Sequence, residues 1–346
     1  MKEYLEIVEN VLKSGLWKQN RTETRTLTNF GILFQHSMKK GFPLLTTKKM
    51  PIKLIASELE FFIKGITDKR WLQQRNNHIW DDWANPKVIK EKYFTETTNL
   101  EDILNKIHKD YLQDKELMDT ARLKDLQEKI QSSYSLEDNV WKYNIGSDKK
   151  SNLIQHYAQY VERDLGPIYG WQWRNIGAEY KSFETNYQQK GFDQLANVIE
   201  LLEKNPNSRR MLVTAWSPNY LDQMALPPCH YSFQLDVIQE KIHLEWNQRS
   251  VDTMLGLPFN IASYGLLLEL FALQSNYSAD KLIGNLGDVH IYENHIEGAK
   301  KQLEREPFTL PRVQITDFKN IFDWTYDSVK IHDYKSYERI NLSIAV

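Results

Sequence analysis

The chain has 346 residues, of which 41% are hydrophobic and 26% charged, with a formal net charge of −2. That length supplies one large domain or two ordinary ones, and the near-neutral balance excludes a broad electrostatic coat for DNA or a polybasic membrane contact. A single cysteine, Cys229, excludes a disulfide within the chain and a multi-cysteine zinc site, and no metal centre is predicted.

The N-terminal stretch Met1 to Glu6 is charged and lacks an apolar core, which predicts no secretory leader. A reducing, cytoplasmic setting follows as the expectation (host cytoplasm, should the gene be phage-borne). Leu5, Val8, Val11 and Leu12 recur at helical spacing, and a strand is expected from about Thr24 to Phe34. Pro43 to Lys49 reads as a turn. A helix is predicted from Ile52 to Lys64, with Ile55, Leu59 and Phe62 on one face and Gly65 as its stop.

Residues 86–163 change in texture. They are rich in charge and show narrow apolar stripes, first at Leu100, Ile103, Leu104, Ile107 and Tyr111, with Asn99 as a predicted cap. Two more helices are expected, Thr120 to Ile130 and Asn152 to Val161. The zone reads as a helical insertion lying on the body of a single domain that spans residues 1–346.

Beyond it, a helix is predicted from Asp193 to Glu203 and a strand from Met211 to Trp216. Tyr231, Phe233, Leu235 and Val237 alternate, as do Ile242, Leu244 and Trp246, giving two strands joined by a short turn at Gln239 to Lys241. The run Ile261 to Leu273 is apolar nearly all round, which marks a central buried helix; it is too short to span a bilayer and contains Glu269. Strands and helices that alternate unevenly predict an α+β fold, a mixed β-sheet core covered by helices.

Several side chains carry chemical potential. Cys229 is either a small buried hydrophobe or a nucleophile, and a nucleophilic thiolate needs cations or oriented donors near it. Arg21, Arg209, Arg210 and Arg249 lie in short polar contexts with Ser208 and Ser250 beside them, a set suited to a phosphate dianion. Asn260 presents a donor and an acceptor, matching the uracil edge, and is equally a good helix cap. His290 and Tyr292 alternate onto one strand face and suit a sugar hydroxyl. His230 points away from Cys229 if both lie on a strand, so a supporting role is expected. Glu58 sits within an apolar helix face, where a carboxyl is biased toward its neutral form and suits proton transfer.

Taken together these segments resemble the thymidylate synthase family. The resemblance is carried by Arg21-Thr22-Glu23-Thr24, Gly41 to Lys49, Glu58 to Phe62, Ile79-Trp80-Asp81-Asp82-Trp83, Leu165 to Gly170, Ser208-Arg209-Arg210, Ala225 to His230, Gln248 to Asp252, Leu257 to Tyr264 and Gly287 to Tyr292. It implies that Cys229 adds to C6 of dUMP, that Asn260 recognises the pyrimidine, and that Arg21, Gln248, Arg249 and Ser250 hold the nucleotide. His290 and Tyr292 complete that set. Arg209 and Arg210 match a pair that crosses a homodimer interface to the neighbouring phosphate. The cosubstrate implied is 5,10-methylenetetrahydrofolate, with Asp252, Ile79, Trp80, Trp83 and Lys48 on its side and the tail Ile344-Ala345-Val346 closing over both ligands. Glu58 and Tyr169, with ordered water, would serve the proton transfers.

The chain departs from the family at Glu23, where glycine is usual, and at Pro51, where histidine is usual. Two other functions compete. A dUMP hydroxymethylase of the same fold would let water, rather than hydride, finish the product. A non-catalytic homologue would bind nucleotide or RNA without turnover; Cys229, Asn260 and Arg249 together argue against it.

Overall fold

The computed structural model of the chain describes residues 1–20, 24–95, 100–137, 140–143 and 147–343, the side chains of 131 and 133–152 excepted. Arg21, Glu23, Asn99 and the tail 344–346 therefore lie outside the described residues.

Helix α1 (Lys2–Ser14) buries Tyr4, Ile7, Val8 and Val11; of the predicted stripe Val8 and Val11 are buried, while Leu5 and Leu12 are half-buried at its edge. Strands β1 (Leu16–Lys18) and β2 (Thr26–Ser37) pair antiparallel. Helix α2 (Ile52–Ile63) ends at Gly65, whose φ of +65° is the left-handed stop that glycine provides. The short α3 (Arg70–Gln73) follows.

The stretch 86–163 begins with α4 (Pro86–Tyr93), which the sequence reading did not separate from its surroundings. Its start is marked by Asn85, whose side chain accepts from the Lys87 and Val88 amides, with Pro86 at the first helical position. Helices α5 (Leu100–Asp114) and α6 (Thr120–Ser133) come next, then an antiparallel pair β3 (Tyr134–Glu137) and β4 (Val140–Tyr143), and α7 (Ser147–Val161). The stretch 86–163 thus contains a strand pair beside its helices. Ile89, Ile103, Ile107, Leu123, Leu126 and Ile154 form a hydrophobic cluster of their own, apart from the main core.

The body resumes with α8 (Tyr169–Asn175), α9 (Gln194–Lys204), β5 (Leu212–Thr214), β6 (His230–Ile238) and β7 (Lys241–Asp252). Gln239 and Glu240, between β6 and β7, have φ of 52° and 58°. Positive φ at both positions is the mirror-image turn whose twist matches a two-residue hairpin. Then come α10 (Gly256–Ser275), β8 (Ser278–Tyr292), α11 (Ile296–Leu303), β9 (Arg312–Ile315) and β10 (Val329–His332).

The main sheet runs β1-β2-β8-β7-β6-β5. Only β7 and β8 pair in parallel, and α10 is the crossover that parallel pairing requires. The fold is α+β with a mixed sheet, as expected. Helix α10 is longer than its predicted core and takes in Gly256 and Pro258, proline being tolerated in a first turn. By length and composition it is able to cross a bilayer, yet 67% of its most apolar stretch is buried in the fold. It is the central core helix: Leu266, Leu267, Leu268 and Leu270 are fully buried, and Tyr264 stacks on Trp246 at 5.2 Å. Away from this core the protein leaves large apolar side chains uncovered, Phe30 at 85% and Leu33 at 56% exposed among them.

Candidate active site

Cys229 is the residue just before β6 and is half-buried. The register pairs His230 with Gln248, so β7 delivers its Gln248-Arg249-Ser250 segment beside the thiol. The Arg249 amide donates to the Cys229 carbonyl at 2.8 Å. Its guanidinium folds back along the same turn, donating to the carbonyls of Pro228 at 2.9 Å and Pro227 at 2.8 Å. One cation therefore shares a turn with the one thiol, the surroundings a nucleophilic sulfur requires.

A chain of amides fixes which way Asn260 faces. The Trp246 indole N–H can only donate, and it donates to Gln248 Oε1 at 3.1 Å. That turns Gln248 Nε2 toward the Asn260 Oδ1, at 3.0 Å, and toward the Ser250 carbonyl, also at 3.0 Å. Asn260 is left with its NH2 group and one oxygen lone pair for a ligand, the donor–acceptor pair that fits a uracil edge. Trp246 as the orienting residue was missed in the sequence, although its place two residues before Gln248 on one strand was the available signal. Asn260 lies inside the first turns of α10 rather than capping it.

On the wall that α2 provides, Glu58 accepts from the Trp80 indole N–H at 2.8 Å. Burial pushes its pKa up to about 7, with the Trp80 bond working the other way. Tyr169 connects this wall to the thiol. Its hydroxyl accepts from the Cys229 amide at 2.9 Å, and its ring stacks between Phe62 at 4.8 Å and His230 at 4.4 Å. The approach depends on Gly170: a Cβ there would sit 2.1 Å from the Phe62 carbonyl oxygen. Tyr169 has a φ of 20°, outside the common regions for a non-glycine residue, and the stacked rings hold it there. Burial, reinforced by Cys229, holds its phenol pKa well above the usual value, so the hydroxyl stays protonated. His230 bonds through Nδ1 to the Tyr264 hydroxyl at 2.9 Å, and burial lowers its pKa to about 3. It is a neutral packing residue.

A cleft of about 270 Å³ opens beside Arg249 and Ser250, lined also by Lys18, Asn20, Thr26, Asp288, His290 and Tyr292. Register explains the grouping, since Ser250 pairs with Asp288 and Asp252 with His290. The His290 and Tyr292 rings stand 5.3 Å apart, and His290 Nδ1 lies 2.9 Å from Asp288 Oδ1. Lys18, Asn20 and Thr26 were not singled out from sequence; they arrive because β1 and β2 flank the segment containing Arg21. Arg209 and Arg210 are exposed in the turn before β5 and are not among the residues lining this cleft.

Asp252 accepts from the amides of Met254 and Leu255, both at 3.0 Å, which pins the turn into α10. Lys48 is buried and donates to the Met254 carbonyl in that turn; burial lowers its pKa to about 8 against the pull of Asp252. Ile79 is 37% exposed, Trp80 is buried and Trp83 half-buried. Pro51 stands at the cap position of α2. Among the described residues no group of three or more His, Cys, Asp or Glu is placed to hold a metal.

The family model described as thymidylate synthase matches residues 2–346. A thymidylate synthase of Mycoplasma mobile is 37% identical over 347 aligned positions, covering 100% of both chains. Thymidylate synthases of Listeria innocua, 37% identical, and Listeria monocytogenes, 36% identical, are likewise covered in full. None of these three carries the name of a hydroxymethylase. With its full length matched in this way, the chain belongs to the thymidylate synthase family, whose members are methyltransferases.

Proposed function

We propose that the protein converts dUMP to dTMP through a covalent bond between Cys229 and the pyrimidine. One observation carries the reading: Cys229, Arg249 and Asn260 converge through a single β6–β7 register and the Trp246–Gln248–Asn260 amide chain. The Cys229 sulfur bonds to C6, and the electron pair of the C5–C6 double bond moves toward C5 and the C4 oxygen. Asn260 offers its NH2 to that oxygen as charge develops there. Arg249 and Ser250 face the cleft that suits the nucleotide phosphate, with Arg21 and Gln248 assigned beside them, and His290 and Tyr292 face the sugar. At the end of the sequence C5 has lost its proton, and the sulfur leaves with the double bond restored.

The residues across the cleft fit a flat cosubstrate. Half-buried Trp83 presents aromatic surface and Ile79 an exposed aliphatic one; buried Trp80 is assigned beside them, and Asp252 and Lys48 are assigned at the turn into α10. 5,10-Methylenetetrahydrofolate would supply one carbon and a hydride there and leave as dihydrofolate. Glu58, ionising near neutrality, and the protonated Tyr169 are suited to relay protons beside C5. Val346 and its neighbours are assigned to closing the site.

The exposed apolar side chains Phe30, Leu33, Leu212 and Ile238 support burial of a surface against a second copy. Exposed Arg209 and Arg210 are then free to reach a neighbour's nucleotide. The reduced thiol that the reaction needs fits a cytoplasmic setting. The test combines dihydrofolate absorbance with mass analysis of the nucleotide. Equal amounts of dTMP and dihydrofolate are expected; 5-hydroxymethyl-dUMP without dihydrofolate, or no nucleotide product, overturns the reading.

A further inference from the structure

Lys69 and Arg70 are adjacent basic residues, 0% and 2% exposed, and burial lowers the Lys69 pKa to about 7. Lysine is almost never fully buried unless its charge is matched. Lys69 donates to three backbone carbonyls: Asp81 at 2.9 Å, Trp83 at 3.1 Å and Gln159 at 2.6 Å. An ammonium has three donors, and here each has one acceptor. Two of those acceptors belong to the loop that carries Ile79, Trp80 and Trp83. The third belongs to α7, in the insertion.

Further ties run the same way. Arg70 donates to the Val161 carbonyl of α7 at 2.6 Å and to Asp114 of α5 at 3.2 Å. Asp82 accepts from Arg122 of α6 at 2.5 Å and lies 3.1 Å from His156 Nε2 of α7. Gln73 donates to Asp81 at 2.7 Å. The loop whose Trp80 bonds Glu58 is thus tied to α6 and α7 through Asp82 and to α3 through Asp81. By contrast, the cleft at Arg249 and Ser250 is walled by β1, β2, β7 and β8, none of which supplies a partner to Lys69.

We propose that Lys69 is a positioning residue through which the insertion sets the tryptophan wall on the cosubstrate side of the site. The assignment of that side rests on the function proposed above. A side-chain amine tied to three carbonyls fixes main chain, so its loss moves Trp80 and Trp83, and with Trp80 the hydrogen bond to Glu58, while Cys229, Arg249 and Ser250 keep their own partners. A merely structural lysine would lower the folded fraction, and with it the maximal rate, while leaving both KM values of the folded molecules as they are.

The test uses the full chain with Lys69→Met and, separately, Asp82→Asn. KM is measured for each substrate, and amide hydrogen exchange across residues 79–83 is followed in the ligand-free protein. For Lys69→Met the KM for methylenetetrahydrofolate is expected to rise about tenfold, with the KM for dUMP within about twofold and exchange across 79–83 markedly faster. Asp82→Asn is expected to raise the same KM about threefold, and it carries the test should Lys69→Met fail to fold. Folded variants with unchanged exchange and unchanged cosubstrate KM, or with both KM values raised in proportion, overturn the proposal. A wild-type protein that turns over neither substrate overturns the proposed function instead, and the exchange measurement then decides the positioning role by itself.

Discussion

The β-sheet body and the insertion hold their residues in place by different means. In the body, position follows from register: one β6–β7 pairing puts Cys229 beside Arg249, and one β7–β8 pairing puts Ser250 and Asp252 beside Asp288 and His290. In the stretch 86–163, proposed as an insertion, a separate small core is joined to the body by polar ties at Lys69, Arg70 and Asp82. Register is enforced by every residue in a strand, because a one-residue slip turns each side chain to the wrong face. Polar ties are few, and each can be cut singly. Substitutions in the body should therefore alter chemistry, and those in the insertion stability and placement.

The largest expected effect is on specificity in the body. Asn260→Asp replaces the NH2 donor with a second acceptor oxygen, and a site whose buried polar groups are mismatched discriminates by up to about 10⁴-fold. The ratio of kcat/KM for dUMP over dCMP should fall by at least about 10²-fold. An unchanged ratio would break the link between register and recognition.

Next is Glu58→Gln, which removes a titrating group while keeping its size. Turnover should fall by about 10²-fold or more with dUMP binding retained. A stability signature accompanies it. The folded-state pKa is raised from 4.5 to about 7, so the native protein holds the proton more tightly than the unfolded chain does. Stability contributed by this group is present below the unfolded value and is lost as pH rises through about 4.5 to 7. Denaturant midpoints across that range should show this decline in the wild type and its absence in Glu58→Gln.

A smaller effect sharpens the comparison directly. Ile107 in the insertion and Leu267 in α10 are both fully buried. Truncating either to alanine should cost about 2–5 kcal/mol, read from denaturant unfolding. Ile107→Ala should leave kcat per folded molecule unchanged, because Lys69 and Asp82 keep their partners. Leu267→Ala should depress kcat as well, because α10 carries Asn260. Equal effects on kcat would show that the two regions are not separable.

Legibility in the sequence follows the same division. Strand alternation from Tyr231 to Val237 and from Ile242 to Trp246 was visible because one face of each strand packs on the core. The helical stripes of α1, α2 and α5 were visible for a similar reason. Much of β8 was not, because Asp280, Lys281, Gly284, Asn285 and Gly287 break its pattern. Gly284 is there for packing: a Cβ would come 2.4 Å from the Trp246 ring. The site residues stood out as types in suggestive company, but their convergence is a property of pairing between distant segments. The orienting role of Trp246, the lining by Lys18 and Asn20, and the carbonyl cage around Lys69 depend on contacts far apart in the chain, which no local pattern announces.

The central claim is that the Cys229 sulfur bonds to the pyrimidine. Release of tritium from dUMP labelled at C5, in the presence of methylenetetrahydrofolate, reads the consequence of that bond. The wild type should release tritium in step with product, and folded Cys229→Ser, still binding dUMP, should release about 10³-fold less or none. Release by Cys229→Ser at the wild-type rate would contradict the account.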